Sequence, residues 1–473
     1  MRSRFTKGLN EEALEFSSSL AHDVAIFEYD VLVNAAHTLA LLKAGILSSE
    51  EAGEILAALA EVRRRGIANG YEDLEEAIES EVTKITTAGR KMHTGKSRND
   101  EVATCLRMFA RDRLLEIAES ICKLRRAILS VEVDAIMPGF THMQPAQPTR
   151  LQHHLLTYER MLSRDFDRAI EAFRRVNLCP LGSAAFASTP YNIDRHYVAE
   201  LLGFDGVAEH SEDAVASRDF LIESIYVASQ TLLDLSRVAE EIVVFSNPNF
   251  GYVELPEEFA STSSIMPQKK NPDIAELVRA NAAKLAGNLA AAMGIYKALP
   301  FSYNRDFQEM NPLLYDSLER ARKAIEVMAK MFSKLSFNVE KLEEDASKGF
   351  TVATHLADWL VIKHGIPFRD AHRIVGKLAA SEVSASKLSE VASQLGYSVE
   401  VNEEELAKIL NPREVVEARK NVGGTAEEEV QRMKISALQK LEKDSRLVKI
   451  LKERISTRLS RLRRLAASLG VEL

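Results

Sequence analysis

Apolar residues recur every three or four positions along most of the chain. Near the C-terminus, Leu447, Leu451, Ile455, Leu459 and Leu462 follow this spacing and define one helical face. Strand-like alternation is hard to find, and only 21 glycines and 13 prolines interrupt 473 residues. The pattern therefore predicts an all-α fold.

Five predicted helices in the central part exceed the usual length of about 8–20 residues. Their approximate ranges are 102–136, 150–176, 216–246, 273–298 and 312–335. Long neighbouring helices predict an elongated bundle, and its apolar stripes could pair with other copies of the chain. Shorter helices flank the bundle. We therefore predict three helical domains, at 1–99, 100–347 and 348–473.

Composition narrows the function classes. The formal net charge of −8 leaves no basic footprint, which argues against nucleic acid as a partner. Three distant cysteines without C-x-x-C spacing favour neither zinc nor disulfides and point to a reducing compartment. The N-terminal residues lack the apolar core of a signal peptide, and no uninterrupted apolar run approaches ~20 residues. We expect a cytoplasmic protein without a membrane span.

The acidic stretch 72–81 is typical of a solvated helix face.

The stretch EFASTSSIMPQKKNPD, residues 258–273, combines hydroxyl groups, two lysines and two prolines ahead of a predicted helix. Pro267 and Pro272 exclude a helix within it. Hydroxyls and cations beside a helix N-terminus suit an anion site. A basic surface turn is an equally good interpretation from composition alone.

Three further loops carry polar side chains that suit a binding site. HTGKSRND, residues 93–100, could be a carboxylate clamp built on Arg98 and Asn99, or simply a helix N-cap. THMQPAQPTR, residues 141–150, is a rigid, non-helical connection that places His142 at its start, either for acid–base work or as a structural histidine. LPFSYNRDFQEMNP, residues 299–312, is either an ordinary connection or the wall of a polar pocket.

Together, TGKSRND, THMQPAQP, STSSIMPQKKNPD and SYNRDFQE resemble the argininosuccinate lyase family, within the fumarase/aspartase superfamily. The S-S-x-M-P-x-K-x-N-P core is specific to the superfamily. The forms M-P-Q-K-K-N-P-D and T-G-[RK]-S-R-N-D point to the family. The resemblance extends from about Ser17 into the segment beginning at Ala353, which covers most of the chain.

The resemblance implies an anti-elimination that splits argininosuccinate into arginine and fumarate, without a metal or organic cofactor. It assigns the base to Ser263, whose oxyanion needs nearby cations and backbone N–H groups. Lys269 and the following helix would supply that field. His142, paired with Glu276, would do acid–base work at the leaving nitrogen. The substrate-binding positions implied are Ser19, Arg98, Asn99, Thr141, Asn271, Tyr303 and Gln308, the last pair at the arginine-like end.

The chain departs from the family pattern at four positions. Thr262 replaces a glycine before the serine pair, which predicts a stiffer loop. Lys96 stands where arginine is common, and Glu101 where glutamine is common. Asn311 stands where many members have lysine, so one contact to the amino-acid end of the substrate is absent or replaced.

Two alternatives remain open. One is another fumarate-releasing lyase of the superfamily, such as an adenylosuccinate lyase or a fumarase. The other is a catalytically silent, crystallin-like structural relative, although Ser263, Lys269, His142 and Glu276 are all present. The loops that carry the motifs lie at the ends of helices longer than 45 Å, at ~1.5 Å per residue. One chain would therefore not bring these loops together in one site. Following the family, we expect a homotetramer with sites shared between chains.

Overall fold

The structure, a computed structural model, describes residues 10–68, 70–379 and 382–473. Helices dominate these ranges, so the prediction of an all-α fold is confirmed. The helices before the bundle are α1 Glu11–Ser17, α2 Leu20–Asp23, α3 Phe27–Lys43, α4 Ser49–Arg65 and α5 Leu74–Ile85. The central helices are α6 Arg98–Leu129, α7 Leu151–Val176, α8 Arg195–Leu201, α9 Ser211–Ala216, α10 Asp219–Phe245, α11 Asp273–Tyr296 and α12 Asn311–Phe332. The remaining helices are α13 Val339–Ala346, α14 Ala353–His364, α15 Phe368–Leu378, α16 Ala385–Gln394, α17 Glu403–Ile409, α18 Pro412–Glu417 and α19 Glu427–Ser468.

The described strands are short and form four separate pairs. Three pairs are antiparallel and one, β3 with β4, is parallel. Their bounds are β1 Ile136–Thr141, β2 Gln144–Arg150, β3 Leu178–Cys179, β4 Gly206–Val207, β5 Val253–Glu254, β6 Ser261–Thr262, β7 Lys270–Asn271 and β8 Ser336–Phe337. The pairs are β1–β2, β3–β4, β5–β8 and β6–β7.

The five predicted long helices are present as α6, α7, α10, α11 and α12, and they pack on one another as a bundle. Helix α6 begins at Arg98, earlier than predicted, because Ser97 and Asp100 form a reciprocal capping box. It ends at Leu129, earlier than predicted, because the chain then turns and runs into β1. A sixth long helix, α19, spans 42 residues and packs against α6 and α7.

Strands β1 and β2 form a hairpin that joins α6 to α7. From Pro145 and Pro148 we predicted a rigid, non-helical connection here and did not predict strands. Prolines, including Pro138, are unfavourable in a strand ladder. An isolated two-stranded pair tolerates them at its edges. The turn residues His142 and Met143 have φ values of 55° and 58°. Both therefore adopt the left-handed conformation of a tight two-residue hairpin turn.

Buried apolar side chains of the described residues form one large core, one smaller core and a third cluster of three residues, Ile136, Ala346 and Val416. The large core includes the bundle and the inner face of α19, through residues such as Val430 and Leu462. The smaller core lies between Leu356 and Ile409. The division into three domains stays a prediction. Helix α19, which that prediction places in the last domain, packs on the central bundle.

One segment, Glu11–Lys43, is long and apolar enough to span a membrane within the described residues. Its most apolar window is 67% buried inside the protein. Side chains such as Ile26, Val33 and Leu41 are fully enclosed. The segment is therefore a core element, and core helices commonly pass a test of length and composition.

Candidate active site

A cavity of about 190 Å³ lies at the N-terminal end of α6. It gathers five of the eleven predicted site residues: Ser19, Arg98, Asn99, Tyr303 and Gln308. They come from three distant parts of the sequence. The start of α6, the segment before α2 and the connection between α11 and α12 meet at this cavity. The other lining residues are Asp23, Glu72, Asp73, Glu75, Val102, Arg218, Arg305, Phe307 and Asn311.

Arginine–carboxylate pairs hold the cavity wall together. Arg98 Nη1 lies 2.8 Å from Asp73 Oδ2, and Arg305 Nη1 lies 2.8 Å from Glu72 Oε1. Arg305 also donates to the carbonyl of Ser17, at 2.8 Å. These contacts tie the connection after α11 to the segment before α2. The predicted binding loops 93–100 and 299–312 thus belong to one polar pocket.

Several ionisable groups of the pocket have shifted pKa values. Burial, opposed by a hydrogen bond from Ser19 and reinforced by Asp73, raises the pKa of Asp23 to about 6. Burial also raises the pKa of Asp73, although Arg98 opposes this. Burial lowers the pKa of Arg218 to about 10; its guanidinium lies 4.7 Å from the centre of the Phe307 ring. Both charge signs meet in this pocket, which suits a ligand that carries both.

The acidic stretch 72–81 differs from its prediction as a solvated helix face. Glu72, Asp73 and Glu75 line the cavity, and Glu75 is only 5% exposed. Composition did not reveal this, because the start of α5 meets residues distant in sequence, such as Arg218 and Tyr303, only in the folded cavity. Arg218 and Asp23 were likewise missed, since neither belongs to a recognisable motif.

The 258–273 stretch forms a loop on the short β6–β7 pair, in which Ser261 faces Asn271. Within it, the Ser263 hydroxyl oxygen accepts hydrogen bonds from the backbone N–H groups of Met266, at 3.1 Å, and Ile265, at 3.3 Å. Donors of this kind stabilise negative charge on an oxygen atom. The structure thus provides one part of the environment that a serine base needs.

The two lysines of this loop differ. Lys270 donates to the carbonyl of Leu255 and lies 3.8 Å from Glu254. Lys269 is exposed, and within the described residues no ion pair engages its ammonium group. Asn271 donates to the Ser261 hydroxyl at 3.3 Å. Lys270 therefore anchors the loop, while Lys269 remains free to meet an anion.

The hairpin turn and the Ser263 loop lie at the same end of the bundle. Phe140, just before Thr141 and His142, packs against Phe245 at the end of α10, with ring centroids 6.4 Å apart. Thr141, His142 and Glu276 are all exposed. No hydrogen bond or ion pair joins Glu276 to His142 within the described residues, so their predicted pairing is not made inside a protomer.

The cavity and the Ser263 loop lie at opposite ends of the bundle. Arg98 starts α6 and Arg218 precedes α10, whereas the hairpin follows α6 and the loop follows α10. Helix α6 has 32 residues, so the two ends are about 48 Å apart at ~1.5 Å per residue. A single chain therefore separates the predicted base from the predicted binding pocket.

Comparison with known families places this arrangement in a class. A family model described as "Lyase" matches residues 4–287, and one described as "Argininosuccinate lyase C-terminal" matches residues 350–417. The fold and the loop motifs thus define an enzyme of the fumarase/aspartase superfamily, a lyase acting on carbon–nitrogen bonds.

Curated relatives narrow the class further. Argininosuccinate lyase of Archaeoglobus fulgidus is 59% identical, over 100% of this chain and 99% of the relative. The Methanosarcina acetivorans enzyme of the same name is 46% identical, over 91% and 90%. This chain belongs to the argininosuccinate lyase family.

Solved structures agree with the fold. A structure of EDDS lyase in complex with formate has a TM-score of 0.85 and 30% identity, covering 94% of this chain and 92% of that one. An EDDS lyase variant with bound fumarate has a TM-score of 0.86 and 29% identity, with coverage of 98% and 96%. Class II fumarase from Schistosoma mansoni, at 18% identity and a TM-score of 0.67, shares the fold, covering 87% and 92%.

Proposed function

We propose that this enzyme splits argininosuccinate into L-arginine and fumarate, a reversible step in cytoplasmic arginine biosynthesis. Family membership and the pocket of mixed charge support this substrate. The single observation that carries the chemistry is the environment of Ser263, whose oxygen already accepts two backbone N–H hydrogen bonds. The reaction needs neither a metal nor an organic cofactor in this proposal.

Ser263 removes the proton next to a carboxylate of the succinyl moiety. The resulting carbanion spreads its charge onto that carboxylate, so fixed donors there lower the barrier most. Lys269 and Asn271 are the donors on this side. Their positions support the assignment, because Lys269 is not engaged in an ion pair within the described residues and Asn271 flanks the loop on β7.

His142 protonates the departing guanidinium nitrogen, and Glu276 of another protomer raises the proton affinity of the imidazole. Both side chains are exposed in one chain, which leaves them available for such a contact. Thr141, Arg98 and Asn99 bind the succinyl end. Tyr303 and Gln308 bind the arginine end. Ser19 completes the substrate site from the wall of the cavity that these residues share.

A homotetramer with shared active sites completes this proposal. The separation of about 48 Å within a protomer supports it, since the loops can only meet between chains. Exposed apolar side chains on α10 and α11 suit contacts between copies: Tyr226, Leu233, Leu277 and Met293. Helix α11 also exposes small residues at helical spacing, including Ala283, Gly287 and Gly294, which permit close helix packing.

The substrate assignment is tested by ultraviolet absorbance of released fumarate. Purified enzyme is supplied separately with argininosuccinate, adenylosuccinate, malate and ethylenediamine disuccinate, the last because EDDS lyase shares this fold. We expect fumarate from argininosuccinate at a far higher kcat/KM than from the others. Preference for another substrate would overturn the assignment, and no fumarate from any would favour the crystallin-like alternative.

A further inference from the structure

Two buried oxygen atoms in the cavity wall have no hydrogen-bond partner within the described residues. They are Glu75 Oε1 and Asn311 Oδ1, on side chains that are 5% and 6% exposed. Both are acceptors, and both residues line the cavity that contains Tyr303 and Gln308. A buried acceptor without a donor lowers stability, because it has lost its hydrogen bonds to water without replacement. The wall is therefore suited to a ligand that brings N–H donors.

Glu75 also lacks a cationic partner within the described residues. The nearby cations make their contacts elsewhere: Arg98 with Asp73, Arg305 with Glu72, and Arg218, through Nη1, with the carbonyls of Val215 and Ser217. The Nε atom of Arg218 has no hydrogen-bond partner within the described residues. Lys96, deeper in the protein, pairs with Glu101. No cation of the described residues thus forms an ion pair with the Glu75 carboxylate.

The groups that face Glu75 are themselves mostly acidic. Burial and then the charges of Asp30, Asp73, Asp23 and Glu101 hold the pKa of Glu75 well above its usual range. A cation placed beside the carboxyl group would relieve this repulsion. The requirement is for a compact cation that donates several hydrogen bonds, which describes a primary ammonium group.

We propose that Glu75 and Asn311 bind the α-ammonium group of the arginine moiety of the substrate. This rests on the proposed function. The guanidinium end is excluded as the occupant, because its nitrogen is the leaving group and must lie beside the Ser263 loop contributed by another chain. The opposite end of the same moiety is the amino-acid end, which Tyr303 and Gln308 bind in this proposal.

The residue at position 311 fits this interpretation. A lysine at this position would place an ammonium group in the same wall. It would then compete with a ligand ammonium and neutralise Glu75. Asn311 instead adds a neutral acceptor, so Glu75 remains available to the ligand. The departure is thereby explained as a change in how the amino-acid end is bound.

The test compares L-arginine with 5-guanidinovalerate, which lacks only the α-ammonium group, by isothermal titration calorimetry on the intact enzyme. Wild type should bind L-arginine at least 10-fold more tightly. Glu75→Gln should weaken L-arginine binding by at least 10-fold and leave 5-guanidinovalerate nearly unchanged. Asn311→Lys should reduce the same preference without removing the carboxylate, and it serves where Glu75→Gln does not fold.

The outcomes separate this proposal from the proposed function. Unchanged L-arginine preference in both variants overturns the subsite, as does equal weakening of both ligands, which would indicate a structural role. A wild type that cleaves argininosuccinate but does not prefer L-arginine also overturns it. A wild type that releases no fumarate from argininosuccinate instead contradicts the proposed function itself.

Discussion

Lys96 and Glu101 form a fully buried ion pair at the start of α6, with side-chain exposures of 1% and 2%. Asn34 joins them, since it accepts from Lys96 Nζ at 2.6 Å and donates to Glu101 Oε1 at 2.8 Å. These are two of the positions at which we expect the chain to depart from its family. The two departures compensate each other, because a buried lysine here requires a buried carboxylate.

Removal of one member of this pair should be strongly destabilising. Lys96→Met leaves the Glu101 carboxylate buried without its cation, and such losses cost about 3–5 kcal/mol. The double variant Lys96→Met/Glu101→Leu should lose much less than the sum of the single changes. Chemical denaturation at fixed protein concentration measures this coupling. Additive effects in the double variant would contradict the pairing.

Ser263 and Ser264 provide a matched pair for testing the base. Ser263→Ala should lower kcat by roughly 10²–10⁴-fold, the usual contribution of a positioned acid–base group. Substrate binding and helical content should remain, because Ser263 lies on a loop outside the cores. The Ser264 hydroxyl forms no hydrogen bond within the described residues, so Ser264→Ala should leave kcat nearly unchanged. Equal losses in both variants would show that the loop, rather than the Ser263 oxygen, matters.

The hairpin turn stores backbone strain beside the proposed acid. Met143 has a φ of 58° and is 57% exposed, so its side chain contributes little packing. Left-handed backbone costs a non-glycine residue about 1–2 kcal/mol, and asparagine tolerates it better. Met143→Asn should therefore keep or raise the melting temperature, whereas Met143→Val should lower it and reduce kcat by displacing His142. A stable, fully active valine variant would contradict this turn geometry.

Features that depend on local residue patterns could be predicted from the sequence. Helical periodicity located the five long helices, and the loop motifs identified side chains such as Arg98 and Tyr303 that share one cavity. Glu75 was misjudged because the sequence does not show that the start of this acidic helix lines a cavity with residues distant in sequence. The β1–β2 hairpin was missed because its prolines and its His142–Met143 turn lack the usual hairpin residues.

Asp165, on α7, should make stability fall as pH rises. Burial, reinforced by the charge of Asp234 on α10, raises the pKa of Asp165 to about 7. The folded state thus binds this proton more tightly than the unfolded state, whose carboxyl pKa is about 3.9. Between about pH 4 and about pH 7 the folded state holds more protons, so the free energy of unfolding decreases with rising pH.

Asp165→Asn should remove most of this decrease, because the amide carries no charge at either end of the range. Denaturant unfolding of wild type and variant at about pH 5 and about pH 8 measures the difference. The variant should gain relative to wild type mainly at the higher pH. A constant difference between the two proteins would show that Asp165 does not titrate in this window.

Two inactive variants should restore activity when they are assembled together. If each site takes Arg98 from one protomer and Ser263 from another, Arg98→Met and Ser263→Ala homo-oligomers each lack a needed group at every site. Co-refolded mixtures contain sites in which both groups are intact, because one protomer supplies Arg98 and the other supplies Ser263. Fumarate release should therefore reappear in the mixture and scale with the fraction of mixed oligomers.

Mixing Ser263→Ala with Lys269→Met is the matched control. Those residues share one loop, so no site regains both, and the mixture should stay inactive. Activity in the control, or none in the first mixture, would contradict sites shared between chains.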